Sequence, residues 1–213
     1  MHYAERTEPS LPNAVRSSLQ ILRTRYLMTG MSASLGDSRE ALILKLLAAF
    51  SEVGASWTLV GAHAVGMLTE RAAADFDFVV EERKLRALLQ RRGYRRRRAT
   101  TDVRLRTIDV DLIRSGAHPL FRQSLTETQT IDRWRIPRSE LLIALKFLSS
   151  VSPWRGRDRR ARDTADLISL YNEASGALDR ERILSFAAQV YPGAEREFGD
   201  ILDRIDNGEP ISI

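Results

Sequence analysis

The sequence predicts an α+β fold: a mixed sheet flanked by helices, followed by a helical C-terminal region. Three observations predict it. Between residues 37 and 118 the apolar positions alternate between helical spacing and the strand spacing of two. Gly54, Gly61 and Gly93 fall where one pattern gives way to the next. Beyond Pro119 the spacing becomes helical. A chain of 213 residues with 43% hydrophobic content is long enough to bury a substantial core.

Residues 1–36 carry Pro9, Pro12, a short helical stretch near 14–26 and a Gly/Ser/Met tract, and read as a loosely attached extension. Ser38 caps a helix over 39–53, with Leu42, Leu46 and Phe50 among its apolar positions. A strand follows over 56–60, broken by Gly61, and residues 62–68 begin a second helix. Residues 75–80 form the next strand, 82–91 a helix closed by Gly93, and 94–98 and 102–113 the strands of a hairpin or meander. The expected division is a core over 37–118 and a helical region over 119–213, with helices at 120–127, 139–149, 163–173, 179–190 and 194–205.

Asp75 and Asp77 stand two apart in a strand, so both carboxylates face one way while Phe76 and Phe78 face the other, toward a core. Asp109 and Asp111 share a face by the same rule, and either completes the set if the strands are neighbours. Three convergent carboxylates suit Mg²⁺, which prefers oxygen ligands and keeps water or substrate phosphates in its shell. Upstream, a strand feeding a helix through Gly61-Ala62 offers backbone N–H groups to phosphate oxygens. Together these are the parts of two-metal phosphoryl chemistry.

The runs Leu59-Val60-Gly61-Ala62-His63-Ala64-Val65, Arg71 to Val80, Val110-Asp111-Leu112-Ile113, Ile136 to Lys146 and Arg160 to Leu167 stand in that order. With them the chain resembles the DNA polymerase β-type nucleotidyltransferase superfamily over roughly residues 40–171, and within it the AbiEii-like enzymes of toxin–antitoxin and phage-defence systems. The resemblance implies a minimal nucleotidyltransferase core, two Mg²⁺ ions held by Asp75, Asp77 and Asp111, and a nucleoside triphosphate as substrate. It places Gly61, Ala62 and Lys146 near the nucleotide and makes Asp111, by its Asp-Leu-Ile context, the third acid; Arg71, just ahead of the acid pair, either contacts phosphate of the nucleotide or anchors the loop. It also implies an RNA acceptor such as the tRNA 3′ end, and a cognate antitoxin as partner. Transfer to a protein or small-molecule hydroxyl, or an idle nucleic-acid-binding descendant, are the alternatives. Two departures stand out: Gly61-Ala62 replaces the usual Gly-Gly or Gly-Ser pair, and Ala73 replaces a threonine.

Arginine is concentrated in two clusters, Arg91 to Arg98 and Arg155 to Arg162 around Trp154. Arg95, Arg96, Arg97, Arg98, Arg157, Arg159 and Arg160 are the candidates for phosphate contacts with nucleic acid, the alternative being a solvated helix end and hairpin. Lys146 lies either on the wet side of its helix or near the nucleotide. Asp163 and Asp166 share a helical face and suit a structural pairing with Arg162 or Arg71. His63 reads as a helix residue rather than a catalyst. The absence of cysteine excludes disulfides, thiolate metal sites and cysteine nucleophiles. No apolar run approaches the ~20 residues that span a bilayer. The expectation is a cytoplasmic protein with no membrane partner.

Overall fold

A computed structural model of the protein describes residues 39–69, 75–85, 95–96, 102–104, 110–174 and 178–211, with backbone alone at 39–42, 95–96 and 102–104. The fold is α+β. In chain order the elements are α1 (Arg39–Glu52), β1 (Trp57–Val60), α2 (Gly61–Thr69), β2 (Phe76–Val80), β3 (Arg95–Arg96), β4 (Asp102–Arg104) and β5 (Val110–Arg114). They continue with α3 (Pro119–Gln123), β6 (Thr128–Ile131), β7 (Trp134–Pro137), α4 (Ser139–Ser150), α5 (Arg157–Glu173), α6 (Arg180–Ala187) and α7 (Ala194–Asp206).

The main sheet has the order β1-β2-β5-β4-β3. β2 and β5 run parallel and every other neighbouring pair is antiparallel. β2 therefore lies between the strand that leads into α2 and the strand that carries Asp111. Phe76 and Phe78 enter the core as the alternation predicts, and both are fully buried. Phe78 meets Phe50 of α1 edge-on, and both phenylalanines stack near Trp134 of β7 at centroid distances of 6.0 and 6.3 Å. Burying a phenylalanine stabilises by about 1.5–3 kcal/mol, so this face alone strongly fixes which side of β2 turns outward.

Two expectations need correction. The stretch 102–113 is not one continuous strand: β4 and β5 pair antiparallel, Asp102 opposite Ile113 and Arg104 opposite Asp111, so the chain folds back between them. The predicted helix over 120–127 ends at Gln123, and a hairpin of β6 and β7 follows inside the region expected to be helical. Its cause is local. Trp134 and Ile136 are buried while Arg135 is half-exposed, a period of two, and Asp132 at φ 52° opens the two-residue turn. Thr58 of β1 donates its hydroxyl proton to the Arg135 carbonyl at 3.1 Å, tying the hairpin to the sheet.

The remaining helices lie close to their expected bounds, except that α5 starts at Arg157, six residues early. Residues 82–85 are helical, and the rest of the helix expected over 82–91, like the extension over 1–36, lies outside the described residues. Among the described residues no helix is long and apolar enough to cross a membrane.

Candidate active site

The site begins at a glycine that nothing else can replace. Gly61 has φ +71°, and a Cβ built on it would sit 2.0 Å from Asp77 Oδ2. Both facts demand glycine: the backbone is left-handed, and it passes directly against the Asp77 carboxylate. β1 thus ends, α2 begins and the first acid is seated at one point. Val60 pairs with Asp77 across the antiparallel β1–β2 ladder, which sets that approach.

Asp77 is also directly opposite Asp111 in the parallel β2–β5 ladder. Residues in register on adjacent strands point to the same side of a sheet, so the two carboxylates are neighbours. Both line one cleft with Asp75, Gly61 and Ala62. Burial first, and then the Asp111 charge, push Asp77 up to about 7 from an ordinary 3.8, against the pull of Lys146 and Arg155. Asp75 adds the smallest push, consistent with its exposed position just before β2.

Asp75 is held by its backbone. His63 of α2, 2% exposed, donates from Nδ1 to the Asp75 carbonyl at 2.6 Å, which fixes the ring tautomer. The same imidazole stacks on Phe76 at 3.7 Å between centroids. His63 is a helix residue, as expected, and it also orients the strand entrance that carries the acids. The sequence signal for this was its place three residues into the helix after β1.

The opposite wall of the cleft is net cationic, with Lys146, Arg155, Arg159 and Arg162 outnumbering Asp163 and Asp166. Lys146 of α4 is 5% exposed, so it does not lie on a wet helix side. Its Nζ donates to Asp163 Oδ1 at 3.0 Å and Asp166 Oδ2 at 2.7 Å, and Arg155 Nη1 donates to Asp163 Oδ2 at 2.9 Å. Asp163 and Asp166 therefore pair with Lys146, and Asp163 also with Arg155, while both carboxylates line the cleft. Arg159 and Arg162, one helical turn apart on α5, also face the cleft, which measures about 390 Å³. Arg155 and Arg162 line the cleft with Arg159, whereas the sequence marks Arg162 only as a partner for the two aspartates and gives Arg155 no role apart from its cluster.

The other predicted residues are more dispersed. Arg157 is exposed and Arg160 half-buried, and neither lines the cleft. Arg95 and Arg96 lie in β3 at the far edge of the sheet from β1. Arg71, Arg97, Arg98 and Asp109 lie outside the described residues.

Among the described residues no three His, Asp or Glu side chains form a ready-made metal cage. The donor set nevertheless fits a hard divalent cation of low protein coordination: two adjacent carboxylates, mutually repelling, at the floor of a polar cleft. Magnesium commonly binds through one or two carboxylates and takes its remaining ligands from water and phosphate. Asp75 stands at the rim rather than in the pair.

A mixed-sheet α+β protein with in-register acids beside a glycine bend and a facing cationic wall is the class that fold and site define. No protein-family profile matches the chain, and no curated protein does. Among solved structures, an antigenic nucleotidyltransferase-like protein from Paracoccidioides brasiliensis is similar over 80% of this chain and 93% of its own, at 14% identity and a TM-score of 0.47. The antibiotic-resistance factor ANT(2'')-Ia is similar over 79% of this chain and 96% of its own, at 16% identity and a TM-score of 0.45. At these scores neither likeness assigns an activity or a substrate.

Proposed function

We propose that the protein is a Mg²⁺-dependent nucleotidyltransferase, moving a nucleoside monophosphate from a nucleoside triphosphate to an acceptor hydroxyl. The observation that carries this is the in-register pair Asp77 and Asp111 at the floor of a cleft whose other wall holds Lys146, Arg155, Arg159 and Arg162. The Asp77–Asp111 pair on one side and, on the other, guanidinium groups in excess of Asp163 and Asp166 suit a polyphosphate bridged to the pair by cations.

Asp77 and Asp111 would hold magnesium, with Asp75 at the rim as a third ligand. Bound there, the metal supplies Lewis-acid stabilisation of phosphate charge and lowers the pKa of the acceptor hydroxyl. Gly61 and Ala62 present the N-terminal N–H groups of α2 to phosphate oxygens, and Arg159 and Arg162 offer bidentate donors to the triphosphate. The acceptor oxygen forms a bond to the α-phosphorus, the α–β phosphoanhydride bond breaks, and pyrophosphate leaves. The hydroxyl proton passes toward Asp111. Lys146, already shared by two carboxylates, acts by holding α5 and its arginines in place.

The acceptor in this reading is RNA, such as the tRNA 3′ end, and the role is that of an AbiEii-like toxin in a toxin–antitoxin or phage-defence system. Support comes from the arginine cluster that borders the cleft and from the ordered motifs described above. The test is incubation with each α-labelled nucleoside triphosphate, Mg²⁺ and a cell extract, followed by separation of RNA, protein and small molecules. Label in RNA, lost in Asp77→Asn and Asp111→Asn, is the expected result. Label in protein or a small hydroxyl compound instead would move the acceptor, and full activity in both variants would overturn the site.

A further inference from the structure

Trp154 is 94% exposed, a large apolar side chain left in solvent beside the cleft. The sequence Ser152-Pro153-Trp154-Arg155 forms a tight turn, closed by the Arg155 N–H donating to the Ser152 carbonyl at 3.1 Å. Pro153 pre-sets the second position of such a turn. Arg155 is then fastened to buried Asp163 of α5. The indole is therefore carried on a turn fixed at both ends, and its immediate neighbour Arg155 lines the cleft.

The stretch of chain that follows the ring is charged. Arg155, Arg157 and Arg159 are exposed, Arg162 follows on the cleft side of α5, and Asp158 is the one exposed acid between them. A protein-binding hot spot sets its aromatic anchor among other apolar groups that exclude water. Here the residues that follow in the chain carry exposed guanidinium groups, which match phosphates, and the ring itself matches the face of a nucleobase.

We infer that Trp154, with Arg155, Arg157 and Arg159, is a stacking platform for an unpaired base of single-stranded RNA. A base inside a duplex has both faces occupied, so the platform selects unpaired segments over duplex. The strand's phosphates then lie along the arginines, and its terminus is directed into the cleft between α5 and the Asp77–Asp111 pair. This direction of entry rests on the proposed transfer reaction, whereas the stacking itself does not.

The test uses the full chain without nucleoside triphosphate and a fluorescein-labelled single-stranded RNA of about 12 nucleotides, followed by anisotropy. Trp154→Ala should weaken binding about 5- to 100-fold, the range expected for one base–aromatic stack, and Trp154→Phe should recover most of it. Arg157→Gln should weaken binding and flatten its dependence on salt. An RNA duplex of the same sequence should bind more weakly than the single strand and ignore the Trp154 substitution. Circular dichroism establishes that each variant folds. Equal binding by wild type and Trp154→Ala would overturn the platform, even if labelled nucleotide enters RNA. Conversely, Trp154-dependent RNA binding with no nucleotide transfer to any acceptor would overturn the enzymatic reading and leave the platform standing.

Discussion

At the scale of single residues, Gly61 and Asp77 act as one unit. Replacing Gly61 by alanine forces a left-handed φ on a residue with a Cβ and drives that Cβ into the Asp77 carboxylate. Overpacking and backbone strain each cost about 1–3 kcal/mol, so Gly61→Ala should lower stability in a urea titration. Transfer activity should fall at least about 100-fold, since displacement of roughly 1 Å at a reacting site has that effect. A Gly61→Ala protein with wild-type turnover would show that the close approach has no role in the chemistry.

Asp77 makes a second prediction. Its folded-state pKa lies near 7 against an ordinary 3.8, raised by burial and by Asp111. Between those values the folded protein keeps a proton that the unfolded chain has released, so this group's contribution to stability falls as pH rises through that window. Subtracting the stability of Asp77→Asn from that of wild type, pH by pH, isolates the effect. The difference should decline from about pH 4 to about pH 7, and saturating Mg²⁺ should reduce the decline at its upper end by occupying the same carboxylates. A difference that is flat in pH would contradict the burial of this acid.

At the scale of elements, α5 is fastened to α4 by ionic contacts at the cleft wall. Removing one partner of a buried ion pair leaves an uncompensated charge and costs about 3–5 kcal/mol. Lys146→Met should fall in that range by urea denaturation, moderated at Asp163 by the Arg155 contact. Adding Asp166→Asn to Lys146→Met should recover part of the loss, because one of the two carboxylates that Lys146 neutralises is then uncharged. The same element shows what sequence could and could not reveal. Asp75 and Asp77 were legible because a strand's period of two is a property of the backbone, independent of what packs around it. The partners of Lys146 lie 17 and 20 residues away, and residues 141–147 of α4 are all buried, so no wet side existed for periodicity to find. The β6–β7 hairpin was missed because each strand has four residues, and β6 offers a single apolar one, Ile131, at its end.

At the scale of the whole molecule, the boundary drawn between residues 118 and 119 crosses a continuous core. One buried cluster runs from Ile43 and Phe50 through Phe76, Phe78 and Trp134 to Phe147, Phe198 and Leu202. Phe147 of α4 stacks on Phe198 of α7 with centroids 4.3 Å apart and planes 15° apart, within that same cluster. Phe198→Ala should therefore cost about 3–5 kcal/mol. If the core is one cooperative unit, that loss reaches the sheet as well as the C-terminal helices. Tryptophan fluorescence, which includes Trp57 of β1 and Trp134 of β7, and far-ultraviolet circular dichroism, dominated by the helices, should then shift together to lower urea concentration in the variant. Separate transitions, with the fluorescence midpoint unmoved, would mean that the sheet folds without the helices behind it. In that case the cationic wall would be held against the carboxylates by the α4–α5 contacts alone.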